Sequence, residues 1–331
     1  MSEPIPTLPA SPNEYYLPEP VWVAVPPRQR YWLHILLLLC TCLTTLVVGA
    51  RMEFNFLHNR APFVVGDEVI PFFPVKWALA EPARLLLGIP FSASLLLILL
   101  AHEMGHYLYC RYYGVYATLP FFIPAPTLIG TLGAVIRIKS PIQSRAALFD
   151  IGIAGPIAGF VVAVGTLAAA LLLSKPMPFV GPSDLQVGFP WIVNAMHRLL
   201  AAVDPHYAIA GLPLRRVYLH PVGVASLVGM FATAMNLLPS SQLDGGHIIY
   251  ALWPRAHRSV SWLTVVVLIG LGSLYYGWFM WATILIALNI FTWRQRQAPE
   301  FPELPASRWP LAIFALAMLV LTFTIVPFQT R

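Results

Sequence analysis

Two histidines and a glutamate form a compact pattern inside an apolar stretch that begins around Leu85. His102 and His106 are four residues apart, and Glu103 lies between them. On a helix, side chains four residues apart share one face, so the two imidazoles can bind one metal ion. The glutamate can then act as general base on a water at that metal. The pattern indicates a hydrolytic centre with one Zn²⁺ per chain.

The same short pattern also arises by chance in soluble proteins, as two exposed histidines and a solvated glutamate. Inside an apolar span, that interpretation would require three buried polar groups without a purpose. We therefore favour the metal site over the chance occurrence.

A catalytic zinc commonly has three protein ligands and one open position, so a third ligand is needed. Asp244 closes the fourth apolar stretch, on the same side of the membrane as the histidine pair, and Gly245 and Gly246 allow the backbone to turn after it. His247 is the alternative. We favour Asp244 because two imidazoles and a carboxylate suit an open zinc site, and other first-row metals also fit this set.

Asn236 lies one or two turns before Asp244 on the same stretch. Its amide can donate a hydrogen bond to a developing oxyanion. It can equally join two helices, as asparagine often does in membranes. The residues alone favour neither role.

The composition predicts a membrane protein. The chain has 331 residues, of which 58% are hydrophobic and 10% charged, whereas a soluble domain carries about 25% charged residues. Lys and Arg are scattered among short loops, which excludes nucleic acid as a partner and favours the lipid bilayer. We predict an all-α polytopic protein with six to seven transmembrane helices. The expected spans are approximately 31–50, 85–109, 147–173, 221–238, 260–274, 277–293 and 311–326.

Residues 1–30 are rich in proline and are expected to form a disordered tail, and residues 31–331 to form one integral-membrane domain. Basic residues lie before the first span, between the second and third, between the fourth and fifth, and between the sixth and seventh. With alternating crossings, all of these segments lie on the side of the N-terminus. The positive-inside rule makes that side cytoplasmic, with the opening of the metal site facing it. We expect a bacterial inner membrane or its equivalent. The oligomeric state stays open.

The segment between the second and third spans, 117–139, is not expected to be helical. Prolines at 120, 124 and 126 interrupt it, and β-branched residues follow from Thr131 to Ile138. A hairpin or re-entrant segment is predicted, which is allowed at membrane depth where protein or a wet cavity satisfies its backbone. Leu132, Gly133 and Val135 are candidates for binding a substrate strand by β-augmentation.

Other polar and small residues are interpreted as structural. Asp150 opens the third span, where a carboxylate favours the helix N-terminus. The segment from Gly155 to Gly159 has small residues four apart, which lets two helices pack closely. The histidines outside the motif and its neighbourhood need no role.

Taken together, these motifs resemble the site-2 protease family of intramembrane zinc metalloproteases. The matching segments are His102 to His106, Gly155 to Gly159, and Asn236 through Asp244 to Gly246, in that order. The stretch from Gly130 to Ile151 is similar to the branch with chloroplast members. The resemblance covers roughly residues 85–289. It implies His102, His106 and Asp244 as zinc ligands, Glu103 as catalytic base and Asn236 as a substrate or oxyanion contact.

The chain departs from the family at Ser241, where many members carry a second proline. That change alters the turn before Asp244 but removes no catalytic group. No insert here is large enough for a PDZ domain, so regulation by that module is not expected.

The function expected from the resemblance is hydrolysis of peptide bonds in or next to transmembrane segments of single-span substrates. A membrane metal transporter or sensor using the same ligands is the first alternative, and an inactive family member serving as a binding scaffold is the second. A transporter has no need of Glu103, so Glu103→Gln separates it from a protease.

Overall fold

The computed structural model describes residues 30–60, 62–63, 73–177, 185–293 and 303–330. Within these ranges the chain is mainly helical. The α-helices are α1 (Tyr31–Leu57), α2 (Val75–Ala80), α3 (Ile89–Tyr112), α4 (Arg145–Leu173), α5 (Trp191–Val203), α6 (Pro221–Asn236), α7 (Asp244–Leu252), α8 (His257–Leu271), α9 (Gly277–Trp293) and α10 (Trp309–Thr322). Short 3-10 turns cover Pro82–Gly88, Leu214–Arg216 and Ala306–Arg308. The tail predicted to be disordered lies outside the described residues, except for Arg30.

The strands are short and pair in antiparallel, two-stranded sheets. The strands are β1 (Phe121–Pro124), β2 (Thr131–Val135), β3 (Lys175–Pro176), β4 (Leu185–Val187), β5 (Val217–Tyr218) and β6 (Phe328–Thr330). In the described ranges, β1 pairs with β2, β3 with β5 and β4 with β6. The β1–β2 hairpin confirms the prediction for 117–139. The other two sheets correct the all-α expectation, because strands of two or three residues are too short to show an alternating pattern.

Every predicted apolar stretch contains a helix, but the helices differ in length. Within the described residues, three are long and apolar enough to cross a membrane: Tyr31–Leu57, Pro82–Tyr112 and Arg145–Leu173. Helices α6, α8, α9 and α10 have 16, 15, 17 and 14 residues. The predicted break near Gly277 is present, because α8 ends at Leu271 and α9 begins at Gly277. The total of six to seven crossings stays a prediction.

Helix α3 lies at the centre of the fold and packs against α1, α4 and α6. Phe91, Leu95 and Ile98 of α3 are buried together with Leu167 of α4 and Met230 of α6. The outer surface is also apolar. Large side chains of α8, α9 and α10 are strongly exposed, among them Leu263, Val266, Phe279, Ile313 and Leu316. Exposed apolar area of this extent is rare on soluble monomers and fits contact with lipid.

The β1–β2 hairpin runs beside α1. Near the start of α1, the ring of His34 bonds through Nδ1 to the Pro120 carbonyl oxygen at 3.1 Å. Further along, the Thr44 hydroxyl donates to the Gly130 carbonyl oxygen at 2.6 Å. Ten residues of helix separate these contacts, or about 15 Å. The hairpin therefore descends about half the length of a bilayer-spanning helix, packed against protein as a re-entrant segment requires.

Candidate metal centre

Helix α3 presents His102, Glu103 and His106 toward the interior of the fold. All three side chains are buried. The Nε2 atoms of the two histidines lie 3.2 Å apart, as expected for imidazoles one helical turn apart on the same face.

Asp244 is the first residue of α7 and reaches the two histidines from across the fold. Its Oδ2 lies 3.3 Å from Nε2 of His102 and 3.3 Å from Nε2 of His106. Residues 237–243, which connect α6 to α7 and are called the ligand loop below, must fold tightly to place it there. A Cβ on Gly245 would lie 2.1 Å from the Leu237 carbonyl oxygen. Glycine is therefore required at that position.

The three ligand atoms fit a zinc ion. Ligands about 2.0 Å from a tetrahedral Zn²⁺ lie about 3.3 Å from one another, which matches the observed separations of 3.2, 3.3 and 3.3 Å. Oδ2 of Asp244 is buried and has no hydrogen-bond partner among the described residues. Such an orphaned acceptor, facing two ring nitrogens, suits a cation.

The tautomer of His106 also suits a metal. Its Nδ1 lies 2.7 Å from the Ile151 carbonyl oxygen, and a carbonyl only accepts, so Nδ1 carries the proton. The lone pair of Nε2 is then directed at the site, as in metal-bound histidines oriented by a backbone carbonyl.

Among the described residues, the ligand atoms that converge belong to His102, His106 and Asp244. The alternative ligand, His247, lies one turn further along α7, where its Cβ faces Gly152 of α4.

The carboxylate of Glu103 lies beside the hairpin. The backbone N–H of Ile136, the residue that follows β2, faces it. The contact places the end of the hairpin directly beside the candidate base. Since the glutamate is next to His102 in sequence, the hairpin and the ligand set meet at one point.

Asn236 also reaches the ligand set. Its Nδ2 lies 3.1 Å from Nε2 of His102. An imidazole nitrogen that binds a metal has no lone pair left for this hydrogen bond. Metal binding would therefore free the Asn236 amide to donate to another acceptor beside His102. An oxyanion donor needs such a position.

The predicted substrate residues lie near the site rather than in it. Leu132 and Val135 are exposed, at 69% and 46%, and Gly133 adopts a left-handed φ of 102° with open space where a Cβ would be. The hairpin residue that contacts the site is Ile136, which the sequence interpretation did not single out.

Two backbone groups and one side-chain cluster were missed at the sequence level. The N–H of Ile136 and the carbonyl of Ile151 carry no residue-type signal. The cluster comprises Asp150, Tyr113 and Arg308. The Tyr113 hydroxyl donates to Oδ2 of Asp150 at 2.5 Å, and Nη2 of Arg308 lies 3.0 Å from the same oxygen. Burial, followed by the hydrogen bond to Asp150, raises the pKa of Tyr113, which keeps its hydroxyl protonated as the donor.

Comparison with protein families gives one family whose model covers most of the structure described above. The model for Peptidase family M50 matches residues 90–276. That range is more than half of the chain and includes His102, His106, Asn236 and Asp244.

The chain is also similar to plant proteins. A protein named "Probable zinc metalloprotease EGY1, chloroplastic" from Arabidopsis thaliana is 29% identical over 322 residues, which cover 92% of this chain and 55% of that protein. Its namesake from Oryza sativa subsp. japonica is 28% identical, with coverage of 90% and 50%. "Probable zinc metalloprotease EGY2, chloroplastic" from Arabidopsis thaliana is 29% identical, with coverage of 61% and 35%. The chain spans about half the length of the first two relatives.

Proposed function

Because the chain belongs to peptidase family M50, we propose that it is a zinc-dependent metalloendopeptidase that cleaves single-span membrane proteins in or next to their spans. Such cleavage would be a form of regulated intramembrane proteolysis. One observation carries the proposal: two Nε2 atoms and one carboxylate oxygen meet at 3.2–3.3 Å, beside Glu103. The helix that supplies both histidines is long and apolar enough to cross a membrane.

The residues have separate tasks. His102, His106 and Asp244 would hold one Zn²⁺, which when bound lowers the pKa of water and polarises a carbonyl. The Glu103 carboxylate, which the Ile136 N–H faces, would take a proton from the attacking water and pass it to the leaving amine. The Asn236 amide would donate to the carbonyl oxygen as it becomes negative.

The edge of β2 that faces away from β1, which pairs with no other strand among the described residues, is the proposed substrate contact, together with Leu132, Gly133 and Val135. Along a strand, backbone groups alternate in direction. The Arg137 carbonyl and the Lys139 N–H bond inward, to Thr118 and Tyr116, whereas the Ile136 N–H points outward to Glu103. By this alternation the groups of Ala134 and Ile138 also point outward. An unwound substrate segment pairing with them would lie beside Glu103.

A proline at Ala134 tests this edge. Ala134→Pro removes an outward N–H, so we expect slower cleavage with unchanged zinc content, measured on a reconstituted single-span substrate. Ala134→Val keeps the N–H and is the matched control. Proline at Val135 is less informative, because the N–H of that residue points toward β1. Cleavage by Ala134→Pro at the rate of Ala134→Val would contradict the strand pairing.

Glu103→Gln tests the function itself. The variant should retain zinc, because the ligands are untouched, and lose peptide-bond cleavage by several orders of magnitude, because the base is gone. Membranes containing this variant should accumulate single-span proteins that the wild type removes, as measured by quantitative proteomics. Transport of metal by the variant at the wild-type rate, without any proteolysis by the wild type, would favour a carrier instead.

We further propose that the N-terminus and the opening of the site face the cytoplasm, or the equivalent side of the membrane in which the protein resides. The excess of basic residues on that side supports this placement. The protein would act within a bilayer, for which the three span-length helices are the support.

A further inference from the structure

Helix α8 carries a row of polar residues on a buried face. His257, Ser261 and Thr264 are spaced i, i+4 and i+7, so they lie on one side of the helix. All three are buried, at 5%, 1% and 8% exposure. The opposite side of the helix is apolar and exposed, with Leu263 and Val266 at 61% and 62%. A polar row inside an otherwise apolar helix is costly unless it has a specific partner.

The partner of this row is the ligand loop. His257 Nε2 donates to the Ser241 carbonyl oxygen at 3.3 Å, and the Ser261 hydroxyl accepts from the Ser241 N–H at 3.2 Å. The Thr264 hydroxyl donates to the Val260 carbonyl oxygen of its own helix at 3.0 Å and lies 3.4 Å from the Pro239 carbonyl oxygen. The three contacts with the ligand loop are longer than the usual 2.9 Å. The ligand loop is therefore held by the three contacts together rather than by any one of them.

The Ser241 peptide is confined from the other side by α7. A Cβ on Gly246 would lie 2.4 Å from the Ser241 carbonyl oxygen, so this glycine allows α7 to begin directly against that carbonyl. Ser241 itself adopts a φ of 51°, a left-handed conformation that costs free energy for a residue with a side chain. The peptide is thus held between α7 and α8 in a conformation that it would not adopt alone.

Asp244 lies three residues after this confined peptide and opens α7. We propose that His257 and Ser261, with support from Thr264, are positioning residues for Asp244: by fixing the ligand loop they set the position of its carboxylate relative to the two histidines. In this proposal the row acts through the ligand loop rather than on the metal or the substrate. It ties the geometry of the metal centre to α8, and it deepens the proposed function by resting on the same metal site.

The test measures metal affinity rather than proteolysis. His257→Leu and Ser261→Ala are prepared in the full chain in detergent, and zinc affinity is measured by competition with a chromophoric chelator. Groups that orient a metal ligand affect affinity by about 10- to 100-fold, so we expect His257→Leu to weaken zinc binding by at least tenfold. The visible absorption of the Co²⁺-substituted protein should also change. His257→Gln keeps an N–H donor and should recover much of the affinity.

Thr283→Ala is the matched control, because the Thr283 hydroxyl is exposed and bonds to the Phe279 carbonyl within its own helix α9. It should bind zinc like the wild type. In an Asp244→Ala background, His257→Leu should cause no further loss, since the histidine acts through the aspartate.

Two results would overturn the inference. One is wild-type affinity and Co²⁺ absorption in both His257→Leu and Ser261→Ala. The other is an equal loss caused by His257→Leu with and without Asp244. Should His257→Leu fail to fold, Ser261→Ala and His257→Gln supply the comparison. Absence of zinc binding by the wild type would overturn the proposed function as well, which separates the two failures.

Discussion

Two glycines of α4 make room for the imidazoles of the metal centre. A Cβ on Gly155 would lie 2.1 Å from Nε2 of His106, and one on Gly159 would lie 3.1 Å from Cβ of His102. The small-residue pattern at these positions predicts close helix packing, and the contacts agree with that prediction. The contacts also show that α4 approaches the side chains of the two histidine ligands at these glycines.

Gly155→Ala should therefore displace a ligand. The added methyl group occupies the place of the His106 ring, so we expect zinc affinity to fall by at least tenfold, and overpacking to cost about 1–3 kcal/mol of stability. Gly165→Ala on the same helix is the control, because no atom lies within 4 Å of its added Cβ. Equal zinc content of the two variants, measured by elemental analysis, would contradict this account.

At this scale, side-chain types and spacing were informative and backbone groups were not. His102, Glu103, His106 and Asp244 could be singled out because metal chemistry restricts residue type. The Ile136 N–H and Ile151 carbonyl could not, because every residue carries such groups. His257 was interpreted as having no role, although its spacing with Ser261 and Thr264 on an apolar helix was a usable signal.

At the scale of elements, a polar cluster joins the ends of helices α3, α4 and α10. Tyr113 follows α3, Asp150 lies in the first turns of α4, and Arg308 precedes α10. Asp150 is buried and accepts from both partners. The peptide carbonyl of its neighbour Ile151 accepts from His106. The cluster thus fastens α10 to the part of α4 that orients a metal ligand.

Removing the guanidinium should loosen this junction. Among the described residues, Arg308→Gln leaves the buried Asp150 carboxylate with the Tyr113 hydroxyl as its hydrogen-bond donor, so we expect a loss of about 1–3 kcal/mol in stability. Thermal unfolding in detergent measures it. Glu81→Gln is the control, since Glu81 is 59% exposed in its pair with Arg84 and such pairs contribute about 0–1 kcal/mol. A similar change in stability in both variants would contradict a stabilising role of the cluster.

Elements with a long periodic signal were predictable, and elements made by tertiary contact were not. The hairpin was indicated by prolines followed by β-branched residues. Strands β3 to β6 pair with segments far away in the sequence. The local sequence of Lys175–Pro176 does not indicate that it pairs with Val217–Tyr218. The end of α6 was predicted two residues late, because Pro239 biases the residues before it away from helix.

For the molecule as a whole, the lengths of the helices are uneven. Helix α10 has 14 residues and α6 has 16, about 21 and 24 Å of helix. The hydrocarbon core of a typical bilayer is about 30 Å thick. If these helices cross, the mismatch must be met by local thinning of the bilayer or by flanking residues that reach the interface.

This mismatch predicts that activity depends on bilayer thickness. Cleavage in vesicles of short-chain phosphatidylcholine should be faster than in long-chain vesicles, because thick bilayers strain α6 and with it the ligand loop. Zinc content should be equal in both, which separates strain from loss of metal. Rates that are independent of chain length, measured at equal substrate density, would show that the short helices are accommodated without cost.

The two halves of the metal centre are far apart along the polypeptide. Asp244 follows His106 by more than a hundred residues and is therefore synthesised later. A ribosome-bound chain that has already inserted α3 therefore carries two histidines and a glutamate without a complete zinc site. On the proposed function, competence for hydrolysis would arise only when α7 has emerged and docked, so the order of the segments would delay proteolysis until the metal site is assembled.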